Sequence, residues 1–333
     1  MGGRAAKRRF RTTGTPLAAP LAQILLMLFS TCATLTGAPQ QQAGDRQDAG
    51  FKISVDVNLV VLHATVRDKK GGFVSGLRSE DFQVYEDRIP QKTRFFSHED
   101  VPVTVGLVVD HSGSMRSKFT DVVTAALDFA RSSNPRDEMF VVSFNEHAWL
   151  SLPGAVPFTS NPLMVEAALN RDVPTGRTAL YDAIALALRH LKQADFDKRV
   201  LIVISDGGDN ASHYKWPEVR AMAQASNAII YTVGLFEEED PDWNPHVLKR
   251  LAAETGGEGF LPRENSAVVR ICQQIARDIR NQYTIGYVPI NRRRDGTYRT
   301  IRLAVTSPVH ARLSVRTRAG YIAAAQPIPQ VAP

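Results

Sequence analysis

The sequence predicts an α/β domain, doubly wound around a mostly parallel sheet and inserted into a β-sandwich-like module built from the strands on either side of it. Three observations carry this. Almost wholly apolar runs at 103–109 and 199–204 alternate with segments of helical periodicity, the pattern of parallel strands covered on both faces. Residues 51–100 and 283–325 alternate apolar and polar positions instead, as half-buried antiparallel strands do. Such a small sheet needs a second one over its apolar face, and each flank can supply what the other lacks.

The amino terminus stands apart. Five of the six net positive charges come from Arg4, Lys7, Arg8, Arg9 and Arg11, so the rest of the chain is nearly neutral and offers no basic face for nucleic acid. An apolar core at 21–29 and small residues up to Ala38 follow, the three-part layout of a signal peptide over residues 1–38. The core is too short to span a membrane comfortably. Cleavage is placed between 33 and 38, with Pro39 disfavouring a cut after Ala38. The approach to Cys32, Phe29-Ser30-Thr31, is a poor match to a lipidation site, and Phe10-Arg11-Thr12 fits a twin-arginine signal poorly. Export by the ordinary route is expected, with membrane contact only through an uncleaved signal or a lipid anchor. Removing 1–38 leaves Cys272 alone, so no internal disulfide is expected and a buried thiol is.

Residues 39–50 are polar and glutamine-rich and read as a linker. In 51–100, strands are predicted at 53–57, 59–66, 82–85 and 93–95, with turns at 69–72 and 87–90. The central domain, 101–282, opens with the strand ending at Asp110. A helix is predicted over 117–133, then strands at 138–144 and 148–152, and a short helix opened by Thr159 and Pro162 that runs to Leu169. A helix begins at Thr178, with Leu180, Ile184, Leu188 and Leu191 on its apolar face. After the strand 199–205 come helix 216–226, strand 229–235 and helices 247–255 and 268–279. In the closing segment, 283–287, 298–305 and 313–318 alternate, Arg294-Asp295-Gly296 reads as a hairpin turn, and Gly320-Tyr321-Ile322 ends the pattern before a tail at 326–333. The basic run Arg292, Arg293 and Arg294 reads as a solvated loop.

The candidate site comes from the ends of the two apolar strands. Asp110, Ser112 and Ser114 occupy alternate positions in Asp-His-Ser-Gly-Ser, and Asp206 opens Asp-Gly-Gly. Parallel strands put both ends on one carboxyl edge, where Thr178, after the flexible Thr175-Gly176-Arg177, also falls. Taken singly, Ser112, Ser114 and Thr178 read as helix caps and Asp206 as a turn residue. Together, five oxygen-bearing groups on one edge suit a hard divalent cation, Mg²⁺ or Mn²⁺, which takes oxygen ligands.

The set Asp110-x-Ser112-x-Ser114, Thr178 in Gly176-Arg177-Thr178-Ala179-Leu180, and Asp206 in Ser205-Asp206-Gly207 resembles the metal-ion-dependent adhesion site (MIDAS) of von Willebrand factor type A domains. All five positions match, and the resemblance covers about residues 101–282. The flanks are similar to those of secreted bacterial proteins with a type A-related domain, in Ser79-Glu80-Asp81-Phe82 and in the ending Gly320-Tyr321. The resemblance implies a Rossmann-like domain with an intact adhesion site. Ser112, Ser114 and Thr178 would supply hydroxyl ligands, with Asp110 and Asp206 binding directly or through water. It further implies capture of an Asp or Glu carboxylate on a partner protein, and a last helix, 268–279, that can move with affinity. No catalytic residue and no small-molecule cofactor is expected.

The alternatives are a metal-dependent hydrolase, an intracellular type A domain of an ATP-driven machine, and a structural envelope protein with an empty site. The sequence has no His-Glu-x-x-His, no Gly-x-Ser-x-Gly and no phosphate-binding Gly-x-x-x-x-Gly-Lys loop. His111 and the other histidines read as packed or solvated. Asp209 and the acidic run 237–240 read as surface loop that could add ligands.

Overall fold

The computed structural model describes residues 59–154, 156–236, 244–310 and 312–323. The expected signal, linker and tail, the strand at 53–57 and the acidic run 237–240 lie outside them. The elements in chain order are β1 (Val60–Arg67), β2 (Phe82–Glu86), β3 (Ile89–Gln91), β4 (Thr93–Ser97), β5 (Thr104–Asp110), α1 (Phe119–Ser132), β6 (Glu138–Phe144), β7 (Ala148–Leu150), α2 (Pro162–Leu169) and α3 (Leu180–His190). They continue with β8 (Arg199–Ser205), α4 (Trp216–Ala225), β9 (Ile229–Gly234), α5 (Pro245–Thr255), β10 (Gly259–Phe260), α6 (Ala267–Arg280), β11 (Tyr283–Tyr287), β12 (Tyr298–Val305), β13 (Ser314–Arg316) and β14 (Gly320–Ile322).

Six strands form the central sheet in the order β10-β9-β8-β5-β6-β7. All pairings are parallel except β6 with β7. Every residue of β5 is buried, because α1 packs against α2 and α6 while α3, α4 and α5 pack in series, giving a helical layer on each face. Close approach is required at Gly106, where a Cβ would overlap the Phe140 ring and Leu201. From β5 the chain winds outward through β6 and β7, then returns to lay β8 on the other side of β5. The strand order reverses there, and the loops after β5 and β8 part to leave a crevice at their carboxyl ends.

The flanking strands form two four-stranded sheets, β13-β1-β11-β4 and β14-β12-β2-β3, each mixing strands from both ends of the chain. Leu62, Ala64, Val84, Ile285 and Leu303 bury a common core between them. Two expectations need correction here. The turn predicted at 87–90 is confined to Asp87 and Arg88, both at positive φ, and Ile89–Gln91 pairs with β2. Pro90 is accommodated because β3 is an edge strand. Arg294-Asp295-Gly296 makes no hairpin, since β11 and β12 lie in different sheets and the segment between them crosses from one to the other.

Charged side chains join the β strands to α6. Asp278 on α6 is fully buried and accepts from Arg67 at the end of β1 at 2.7 Å and from Arg316 on β13 at 2.6 Å. Glu258 meets the same two arginines. Burial raises the proton affinity of Asp278 and the two guanidinium charges oppose that rise. Cys272, on the same helix, is buried, which pushes its thiol up to about 12 and leaves it a packing residue. Asp278→Ala would leave both arginines with Glu258 alone and should cost about 3 kcal/mol, read as a lower denaturation midpoint; an unchanged midpoint would show that Glu258 suffices to hold them.

Candidate metal centre

Asp110 ends β5 and Ser205 ends β8, side by side in the sheet. The Asp110 carboxylate is fixed from both sides. Its Oδ1 accepts from the backbone N–H of Ser112 at 2.8 Å, and its Oδ2 accepts from the Ser205 hydroxyl at 2.6 Å. Asp206, one residue further on, accepts from Gly208 N–H at 3.2 Å through Oδ1 and from the Ser114 hydroxyl through Oδ2. Ser112 and Ser114 hydroxyl oxygens lie 3.1 Å apart. Four of the five expected residues are thus linked in one hydrogen-bonded cluster.

Thr178 reaches the same rim through its backbone. Gly113 N–H donates to Gly176 O at 3.1 Å and Thr175 N–H to His111 O at 2.7 Å, stitching the loop before α3 to the loop after β5. Thr178 N–H donates to the Asn210 side chain at 3.0 Å, and Thr178 O accepts from the N–H groups of Asn210 and Ala211, each at 3.0 Å. Thr178 is buried, and among the described residues no side-chain hydrogen bond ties its hydroxyl to the other four. Gly176 and Gly207 both adopt positive φ, which lets the two loops turn sharply where a side chain would be strained. At Gly176 a Cβ would also overlap the Glu146 carboxylate, which accepts from Arg177 N–H at 3.2 Å.

The capping roles open at sequence level are not what these hydroxyls do. Gly113–Met115 is a single 3-10 turn with no side-chain cap from Ser112, and α1 starts only at Phe119, after Lys118. Helix α3 starts at Leu180, not at Thr178. Ser112 and Ser114 are turned toward each other and Asp206 instead. At α2 the cap is Asn161, which accepts from Leu163 N–H, rather than Thr159. Asp206 does serve its turn through Oδ1, and its second oxygen remains for the cluster. His111 points back into the domain, with its ring nitrogens 3.2 Å from Val109 O and Leu169 O and its ring edge-on to Phe119. Asp209 accepts from Tyr181 N–H and the Ser212 hydroxyl, both through Oδ1.

Sequence reasoning passed over Ser205 and Asn210. Ser205 carried a signal, a lone hydroxyl at the end of an otherwise apolar strand; Asn210 carried none, since its role depends on a contact 32 residues away.

Electrostatically the centre is unbalanced. Asp110 and Asp206 are both buried, and the proton affinity of Asp110 is raised to about 7, first by burial and then by the neighbouring Asp206 charge; neutral donors from Ser112 and Ser205 oppose the rise. Among the described residues no group of three or more His, Cys, Asp or Glu gathers as a metal site. The donor set is instead two carboxylates and three hydroxyls. That composition fits a hard divalent cation, which takes oxygen ligands and would supply the positive charge the two aspartates lack.

Residues 105–208 match the family model of the von Willebrand factor type A domain, which supports the family that the motif resembles. The mixed α/β architecture with its mostly parallel sheet is consistent with that fold. Type A domains are adhesion and protein-binding modules. A curated relative, the Synechocystis protein sll0103, is 24% identical over 184 residues, covering 54% of this chain and 42% of its own. This chain therefore spans less than half of that relative. Similar solved structures include a type A protein from Catenulispora acidiphila, at 15% identity over 80% of this chain and 75% of that one, with a TM-score of 0.49. Another is proximal thread matrix protein 1 of the mussel byssus with a zinc-occupied MIDAS motif, at 16% identity over 57% of this chain and 48% of that one, TM-score 0.47.

Replacing Ser205 with Ala would leave the buried Asp110 Oδ2 without its donor. In chelator-treated protein this should lower unfolding free energy by about 1–3 kcal/mol in urea titration, whereas an exposed serine would cost almost nothing.

Proposed function

We propose that the chain is an exported, divalent-cation-dependent protein-binding module in which Asp110, Ser112, Ser114, Thr178 and Asp206 hold Mg²⁺ or Mn²⁺ for a carboxylate of a partner protein. The observation that carries this reading is the pairing of two buried carboxylates with a hydroxyl cluster at the switch point of the sheet. Neutral hydroxyls withdraw little charge from a cation, so it would stay a strong acceptor for one more anionic ligand. Asp110, Ser112 and Asp206 are buried while Gly113 and Ser114 are exposed, so the cluster opens to solvent on the Ser114 side, where a partner can approach.

The role is binding rather than catalysis. A hydrolase would need a base facing the open side, and the two aspartates are engaged with the hydroxyl cluster while His111 is packed inward. Export rests on the basic, apolar and small-residue sequence of 1–38. Among the described residues no helix is long and apolar enough to cross a membrane.

Calorimetric titration of Mg²⁺ should give a one-site isotherm that Asp110→Ala abolishes. That variant removes one of two repelling charges and should remain folded, so identical isotherms for both proteins would defeat the proposal. Fractionation of the source cells should recover the chain outside the cytoplasm with the first 33–38 residues removed, by intact mass; an unprocessed cytoplasmic chain would contradict export.

A further inference from the structure

Two arginines flank the open side of the cluster. Arg116 lies two residues beyond Ser114, Arg177 immediately precedes Thr178, and both are exposed. Arg116 spans the crevice rim, with Nε and Nη2 donating to Pro174 O at 3.3 and 3.2 Å. Arg177 reaches toward the loop after β8, with Nη1 donating to Asn210 O at 3.4 Å. Each guanidinium is therefore oriented by a neutral backbone carbonyl. Among the described residues neither is paired with a carboxylate, and Nη1 of Arg116 and Nη2 of Arg177 have no protein acceptor. Arg67, Arg220, Arg250, Arg299 and Arg316 are ion-paired, whereas Arg199, Arg280 and Arg318, like the two rim arginines, donate to neutral oxygens; what sets Arg116 and Arg177 apart is their place beside Ser114 and Thr178.

The acidic groups of the described rim are already engaged. Glu146 is held against the Gly176-Arg177 backbone, and Asp209 is turned onto Tyr181 and Ser212. The cation would satisfy one carboxylate of a partner, and two positioned guanidinium groups beside it remain for more. Guanidinium binds carboxylate through paired, charge-assisted hydrogen bonds, and fixing it beforehand reduces the entropy lost on binding.

We propose that Arg116 and Arg177 are specificity-determining residues that select partner segments carrying a second and third acidic residue beside the one on the cation. This rests on the cation-dependent reading above, and the two can fail separately. The preferred partner is an acidic surface segment with consecutive Asp or Glu residues. A lone carboxylate in a neutral segment would reach the cation but leave both arginines in water.

The test uses the full chain in excess Mg²⁺ and two fluorescein-labelled hexapeptides, one with a single Asp among Gly and Ser, the other with three consecutive Asp residues. Fluorescence anisotropy should show the acidic peptide binding about tenfold tighter, the size of one charge-assisted contact, and this margin should shrink with added salt. The double variant Arg116→Gln/Arg177→Gln should bring the two peptides within about twofold of each other, with single-Asp binding and the Mg²⁺ isotherm unchanged. A preference that survives in the double variant, or no binding of either peptide to the Mg²⁺-loaded wild type, overturns the arginine assignment. So does a parallel loss of both peptides in the variant. If chelator leaves the preference intact and only the double variant removes it, the arginine assignment stands and the cation reading falls.

Discussion

Two carboxylates at the ends of neighbouring buried strands set the terms for the rest of the molecule. Asp110 and Asp206 come together because β5 and β8 are adjacent and parallel, and strands covered on both faces leave no water to screen them. Burial first, and then the neighbouring like charge of Asp206, raise the proton affinity of Asp110. The surrounding structure answers with donors: a serine from each strand end or loop and backbone N–H groups at both aspartates. What hydrogen bonds cannot supply is positive charge. The donor set therefore suits a divalent cation, which is the reading proposed above.

The loops that carry these groups depend on the sheet for position and on each other for shape. No single loop makes the centre. The turn after β5, the loop before α3 and the turn after β8 are tied by backbone hydrogen bonds through Gly113, Gly176, Thr178 and Asn210. Helix α1 starts just beyond the first turn and packs on α6, bonding to it through Gln273 to Asp128 and Arg280 to Ser132 O. Helix α6 is in turn anchored to the β strands by Arg67 and Arg316 on Asp278. A continuous chain of contacts therefore runs from the β sheets to the base of the centre. Buried ion pairs do little for net stability but resist the loss of one partner, so this anchoring mainly specifies where α6 sits.

The fold was legible where burial is two-sided. The stretches 105–109 and 200–204 have no polar interruption, so their burial needs no tertiary information to be read. It was least legible in short or edge segments. Gly259–Phe260 is two residues long and Ile89–Gln91 contains Pro90, so neither carries a strand signal; they exist because a neighbouring strand offers backbone partners. Arg294-Asp295-Gly296 misled for the opposite reason: turn chemistry says that the chain bends, not which sheet it enters next.

The same division runs through the site. The sequence by itself determined the chemistry: two aspartates and three hydroxyls in short, recognisable motifs, with glycines where the backbone had to turn. It also placed them on one edge, because parallel winding fixes which strand ends coincide. Only the tertiary structure decided how those groups are used. Ser112, Ser114 and Thr178 are equally good helix caps in isolation, and they were released from that role when α1 and α3 began further along the chain. Ser205 and Asn210 acquired theirs from residues 95 and 32 positions away. Local residue preferences act within a turn of chain, whereas the pairing of two buried charges, and the donors that answer it, exists only once the sheet has brought distant segments together.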